Sequence, residues 1–138
     1  MAQTQTVLDT GIAELILLWR EEAATGMESI VALEMATPCT AVVGSTFADP
    51  ADTAIHHTDS GLAIQAIDTV GGDTVNTAGD TITFDHVFIA TGTKNVAGIH
   101  VCNNDDNVSF IECCFNAVLA MENMDTLTID GQSTIDQA

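Results

Sequence analysis

Cationic side chains are almost absent. The 138 residues hold two, Arg20 and Lys94, against twenty Asp plus Glu, and the formal net charge is −18. A surface of that sign repels polyanions, and gripping phosphates needs clustered Lys and Arg, so nucleic-acid binding is excluded. Aromatics are also scarce: one Trp, five Phe and no Tyr, so the core must rely on Ile, Leu, Val, Ala and Met. No apolar run approaches the roughly 20 residues that span a bilayer. The richest, Ile12 to Trp19, is interrupted by Glu14, and no basic stretch precedes an apolar one at the N-terminus, so neither a membrane span nor a Sec-type leader is expected. The patterns GxSxG, HExxH, GxGxxG and GxxxxGK[ST] are missing too. With so few cations to hold a phosphate or carboxylate substrate, the expectation is a protein that is not an enzyme and carries no organic cofactor.

Hydrophobic residues nevertheless make up 46 % of the chain, enough to fold it as one compact domain of moderate core. Its character changes near Gly26. In residues 1–26, an N-terminal arm and helix are expected, because Leu8, Ile12, Leu15, Ile16 and Trp19 recur at helical spacing, with Asp9 or Thr10 as cap and Gly26 as stop. Residues 27–138 read as an antiparallel β domain. Strands are expected over Met27–Ala36, Leu62–Val70, Thr81–Ala90, Val96–Cys102, Val108–Phe115, Ala117–Met121 and Thr126–Asp130. Gly71-Gly72-Asp73, Thr91-Gly92-Thr93 and Asn103-Asn104-Asp105-Asp106-Asn107 are read as turns between them. Short strands at near-regular spacing predict a mainly β fold, an antiparallel β-sandwich or jelly-roll with one amphipathic helix.

A five-residue loop at 91–95 would pair Ala90 with Val96, placing His86 opposite His100 and Phe84 opposite Cys102. The next loop, 103–107, would pair His100 with Phe110. One face then collects Phe84, Phe88, Phe110, His86, His100, Cys102 and Cys114; the other collects Val87, Ile89, Ile99, Val101, Ile111, Cys113 and Phe115. A small sheet apolar on both faces needs covering twice, which predicts a homo-oligomer. Leu8, Ile12, Leu15, Trp19, Phe84, Phe88 and Phe110 are the expected interface residues.

Opposed imidazoles at His86 and His100 are close enough to share a divalent cation or to repel when both are protonated. Asp105 and Asp106 supply the oxygen-rich composition of a Ca²⁺ loop, without its residue order. The plainer reading of His86 and His100 is packing among Phe rings with ordinary hydrogen bonds. His56 and His57 point apart in extended chain and are read as an exposed loop. Cys39, Cys102, Cys113 and Cys114 match no zinc motif; they read first as small buried hydrophobes, then as structural disulfides, then as metal ligands.

The stretch Asp80-Thr81-Ile82-Thr83-Phe84-Asp85-His86-Val87-Phe88, followed by Ala90-Thr91-Gly92-Thr93, resembles a strand and turn of small structural proteins of tailed bacterial and archaeal viruses. Similar segments follow at Val96 to Asn103 and at Met124 to Ile129. The resemblance implies a β-rich virion component, a capsid decoration protein or a tail- or fibre-associated one, in contact with other virion structural proteins, and it brings no catalytic residues. The acid excess resembles proteins of salt-loving archaea and their viruses. In physical terms, the screening length falls to about 3 Å at 1 M salt, which relieves self-repulsion. Two other readings stand beside this one: an extracellular surface or filament-forming binding module, and a metal-dependent enzyme or sensor using His86 and His100.

Overall fold

Strands carry this chain. The computed structural model describes residues 4–8, 26–72, 80–103 and 108–135. Among them there are nine strands and no helix: β1 (Thr4–Val7), β2 (Ser29–Glu34), β3 (Ile55–His56), β4 (Gln65–Ala66), β5 (Thr69–Gly72), β6 (Asp80–Ile89), β7 (Lys94–Cys102), β8 (Ser109–Met121) and β9 (Thr126–Ile135). The expected N-terminal helix, with Ile12, Leu15, Trp19 and Arg20, lies outside the described residues, as do Asp105 and Asp106.

The strands form two antiparallel sheets. One runs in the order β1-β8-β7-β2-β3, with β4 also on β2, and the other in the order β5-β6-β9. Their facing sides share a single apolar layer: Ile30, Ala32, Ile99, Val101, Ile111, Cys113 and Phe115 from the larger sheet meet Phe84, Phe88 and Ile129 from the smaller. The product is a β-sandwich. Phe88 is completely buried, and hiding such a side chain from water is worth about 1.5–3 kcal/mol. Strict alternation along β6 explains its placement, since Phe84, His86 and Phe88 face inward while Thr83, Asp85, Val87 and Ile89 face solvent.

The expected hairpin of β6 and β7 is not formed. β6 pairs instead with β9, from Ile89 opposite Thr126 to Asp80 opposite Ile135, and β7 sits in the other sheet. The Ala90 amide donates to Asp125 O and its carbonyl accepts from Met124, so residues 90–93 arch from one sheet to the other beside the β8–β9 connection. Each arch satisfies the other's backbone, which a tight hairpin turn would have done locally. A second crossing splits the expected strand at 62–70. Ile67 N–H bonds to Glu28 in the larger sheet and Asp68 N–H bonds to Asp85 in the smaller, so the chain changes sheets between them. Gly71 and Gly72, expected in a turn, belong to β5.

Phe84 and Phe88 are therefore core residues and not interface residues, and Leu8, with no exposed surface, is likewise buried within the chain. Phe110 is half-buried against the same core. The second apolar face proposed for a β6–β7 sheet does not exist as drawn. The larger sheet's outer face is covered by the chain itself, through residues 35–54 between β2 and β3, while the smaller sheet's outer face is mostly Thr and Asp, with Val87 and Ile89 exposed.

Two close approaches test this packing. A Cβ on Gly131 would collide with the Phe84 ring, and one on Gly98 with the Cys113 carbonyl where β8 bulges opposite β7. Gly131→Ala should lower unfolding free energy by about 1–3 kcal/mol, the usual penalty of overpacking, read as a lower urea midpoint at unchanged slope. On the outer face, Asp85 lies directly opposite Asp130. Like charges so placed repel, so Asp130→Asn should raise thermal stability at low salt, by about 0.2–1 kcal/mol, with the gain vanishing at about 1 M NaCl.

Candidate functional site

The site grows from an anomaly in β8: a glutamate within a run of apolar residues, Ile111-Glu112-Cys113-Cys114-Phe115. Glu112 has no exposed surface. An ionised carboxylate in that position is tolerable only if its oxygens are satisfied by donors. Four donors converge on it. His100 Nε2–H reaches Oε1 at 2.7 Å and Ala51 N–H reaches the same oxygen at 2.9 Å, while Val42 N–H and the Ser45 hydroxyl reach Oε2 at 3.0 Å each. Three of the four come from residues 35–54, which thereby are drawn onto the outer face of the larger sheet.

The network extends outward from His100, which is itself fully buried on β7. Its second nitrogen, Nδ1, lies 2.9 Å from His56 Nε2 on β3. Because the carboxylate can only accept, His100 must carry its proton on Nε2; in the neutral ring Nδ1 is then an acceptor and His56 donates to it. His56 is half-buried, stacked at 4.2 Å against the Phe47 ring of residues 35–54. The result is a carboxylate–imidazole–imidazole chain running from the interior to the surface. It can hold a proton at defined atoms and pass it along. Burial, and secondarily the His100 ring, push His56 down from 6.5 to about 4, against a smaller opposing pull from Glu112. Burial pushes Glu112 up, but the His100 hydrogen bond, the Val42 and Ala51 amides and the attraction of the His100 ring outweigh it, holding the carboxyl below its ordinary value.

The same face carries a covalent staple. Cys39 is disulfide-bonded to Cys114, two residues along β8 from Glu112, with Cα atoms 5.3 Å apart. Closing a loop of 75 residues removes unfolded-state entropy worth about 4 kcal/mol on the chain-entropy account. The reading of the cysteines as buried hydrophobes holds for Cys102 and Cys113, which are buried thiols, and burial pushes the Cys113 thiol up and keeps it protonated. It fails for Cys39 and Cys114. Neighbouring Cys113 and Cys114 do face opposite ways, as alternation requires, but both faces are covered, so both are buried.

The structure separates the two histidines expected to face each other. His86 is in β6, opposite Ile129, with Nδ1 3.2 Å from Asp68 Oδ2 and its ring edge-on to Phe88 at 4.4 Å. His100 pairs with Glu112 instead of Phe110, because the turn is one residue longer and Phe110 bulges out of the ladder between Val101 and Cys102. Among the described residues, no group of three or more His, Cys, Asp and Glu side chains is arranged to hold a metal ion. The exposed-loop reading of His56 and His57 also fails. They do point apart, His56 to His100 and His57 into the interior, where its Nε2–H donates to Asn95 O at 2.8 Å and Nδ1 sits 3.6 Å from Glu34. Nearby, Lys94 pairs with Asp59 at 3.0 Å, which lowers the carboxyl and raises the ammonium. No family model matches the chain, and no curated protein or solved structure matches it.

Glu112→Gln keeps the volume and removes one acceptor oxygen, and because each oxygen accepts from two donors, two of the four must face an amide N–H. The variant should lose about 3 kcal/mol of unfolding free energy at pH 7, measured by urea titration. Acid should act in the same direction on the native chain. A histidine lowered on folding contributes stability that is complete above its ordinary 6.5 and is lost as pH falls towards about 4. Glu112, also lowered, extends the loss to lower pH. The thermal midpoint should therefore fall continuously on acidification below about pH 6.5.

Proposed function

We propose that the chain is a non-enzymatic structural protein of a virion surface, in a decoration or tail-associated role, assembling with its own copies and with other virion proteins outside a reducing cytosol. The observation that carries this reading is the Cys39–Cys114 disulfide, which pins residues 35–54 to the sandwich. Disulfides of this kind persist on extracellular and particle surfaces and are rare where glutathione keeps thiols reduced. The charge agrees with such a place. At −18, with Asp85 set against Asp130, copies repel one another at low ionic strength and pack closely once salt screens them. The contact between copies in this reading is the outer face of β6, where Val87 and Ile89 stand exposed between threonines; it replaces the interface first expected at Phe84 and Phe88.

Alkylation of thiols followed by mass spectrometry, on protein recovered from the particle and soluble fractions of producing cells, tests the location. Cys39 and Cys114 should be protected in particles, and a fully reduced protein confined to the soluble fraction would sink the proposal. Light scattering tests the assembly. The native chain should be larger at multimolar than at low salt, and Val87→Asp should abolish that growth while changing stability by no more than about 0.5 kcal/mol.

A further inference from the structure

We propose that residues 40–53 form an acid-released flap: the His56–His100–Glu112 chain clamps them over the outer face of the larger sheet, and double protonation of the imidazole pair opens the clamp. The geometry states how many protons it tolerates. With both rings neutral, His56 Nε2–H donates to His100 Nδ1 and His100 Nε2–H donates to Glu112. One added proton reverses the first bond, with His100 Nδ1–H donating to His56 Nε2, and every contact survives. A second added proton places an N–H on both nitrogens at a separation of 2.9 Å. The bond between the rings is lost and two positive charges face each other.

Opening propagates because the flap's polar contacts to the sheet converge on this chain. Phe47 stacks on His56 itself, and Val42, Ser45 and Ala51 all bond to Glu112, which His100 orients. The groups packed around the chain leave the proton count to its own members. From β2, Val31 lies beside His100 and Leu33 beside His56; from β1, Thr6 lies opposite Glu112. Within the flap, the Asp52 carboxylate accepts from the Thr40 amide and the Asp49 amide donates to Thr46 Oγ1, both contacts internal to the segment. Glu34 and His57 face each other on the sheet's other side of β2–β3. Two fixed ends keep the motion local: the Cys39–Cys114 bond before the flap and β3 after it. Beneath it lie Leu33, Ala97 and Cys114, so opening uncovers an apolar patch. This goes beyond the structural role, since it makes exposure of a contact surface conditional on acid.

Hydrogen exchange of the intact, disulfide-bonded chain, with protection corrected for intrinsic rate, tests the device between pH 7 and about pH 3.5. Amides of Val42, Ser45 and Ala51 should lose protection by roughly tenfold or more, with a rise in dye binding to apolar surface, while β6 and β9 stay protected. His56→Gln, whose amide still donates to His100 but does not titrate, should keep the flap closed over the same range. If that variant folds poorly, the imidazole NMR shifts of the native chain serve, since the flap amides should lose protection only where both rings carry two protons. Loss of protection in β6 and β9 together with the flap, an unchanged flap at acid pH, or opening at the same pH in the non-titrating variant would each overturn the proposal.

Discussion

A carboxylate without solvent is the constraint around which the outer half of this molecule is arranged. Glu112 stands between Ile111 and Cys113 with no exposed surface, and an unpaired charge there would be untenable. Its four donors come from three separate parts of the chain: His100 on the adjacent strand, Val42 and Ser45 on one limb of the excursion, and Ala51 on the other. Satisfying one side chain therefore fixes the path of residues 40–53, which have no strand of their own. The disulfide from Cys39 to Cys114 holds the same segment two positions away, so a covalent tether and an ionic clamp act on one face.

The inner half obeys a simpler rule. Phe84, Phe88 and Ile129 press against Ile99, Val101 and Ile111, and the layer is mostly apolar. Two of the chain crossings between sheets, at residues 90–93 and 122–125, lie side by side and exchange hydrogen bonds. That mutual satisfaction replaces local hairpin turns and lets two strands adjacent in sequence serve opposite walls of the sandwich. The excess negative charge is left to the exterior, where Asp85 and Asp130 face each other with no cation between them among the described residues, and salt is the natural remedy.

Much of the β domain was legible because period-two alternation is local. β2, β6 and β7 fall within two residues of their expected bounds at Met27–Ala36, Thr81–Ala90 and Val96–Cys102. The site was less legible. Glu112 amid apolar residues was the available signal of a buried, partnered carboxylate, yet pairing it with His100 required a longer turn and a bulge at Phe110, neither of which alternation encodes. His56, forty-four positions from His100, carried no spacing signal at all.

By itself the sequence determined the class of structure and the sign of its surface. Alternating Phe, Ile and Val demand a two-sided antiparallel β fold, and two cations against twenty carboxylates leave no other charge balance. Only the tertiary structure decided which strands face which. Pairing energy depends on contacts distant in the chain, so His86 and His100, equivalent on paper, end in different sheets. One packs against Phe88 beside Asp68; the other becomes the middle of a hydrogen-bonded chain from Glu112 to His56.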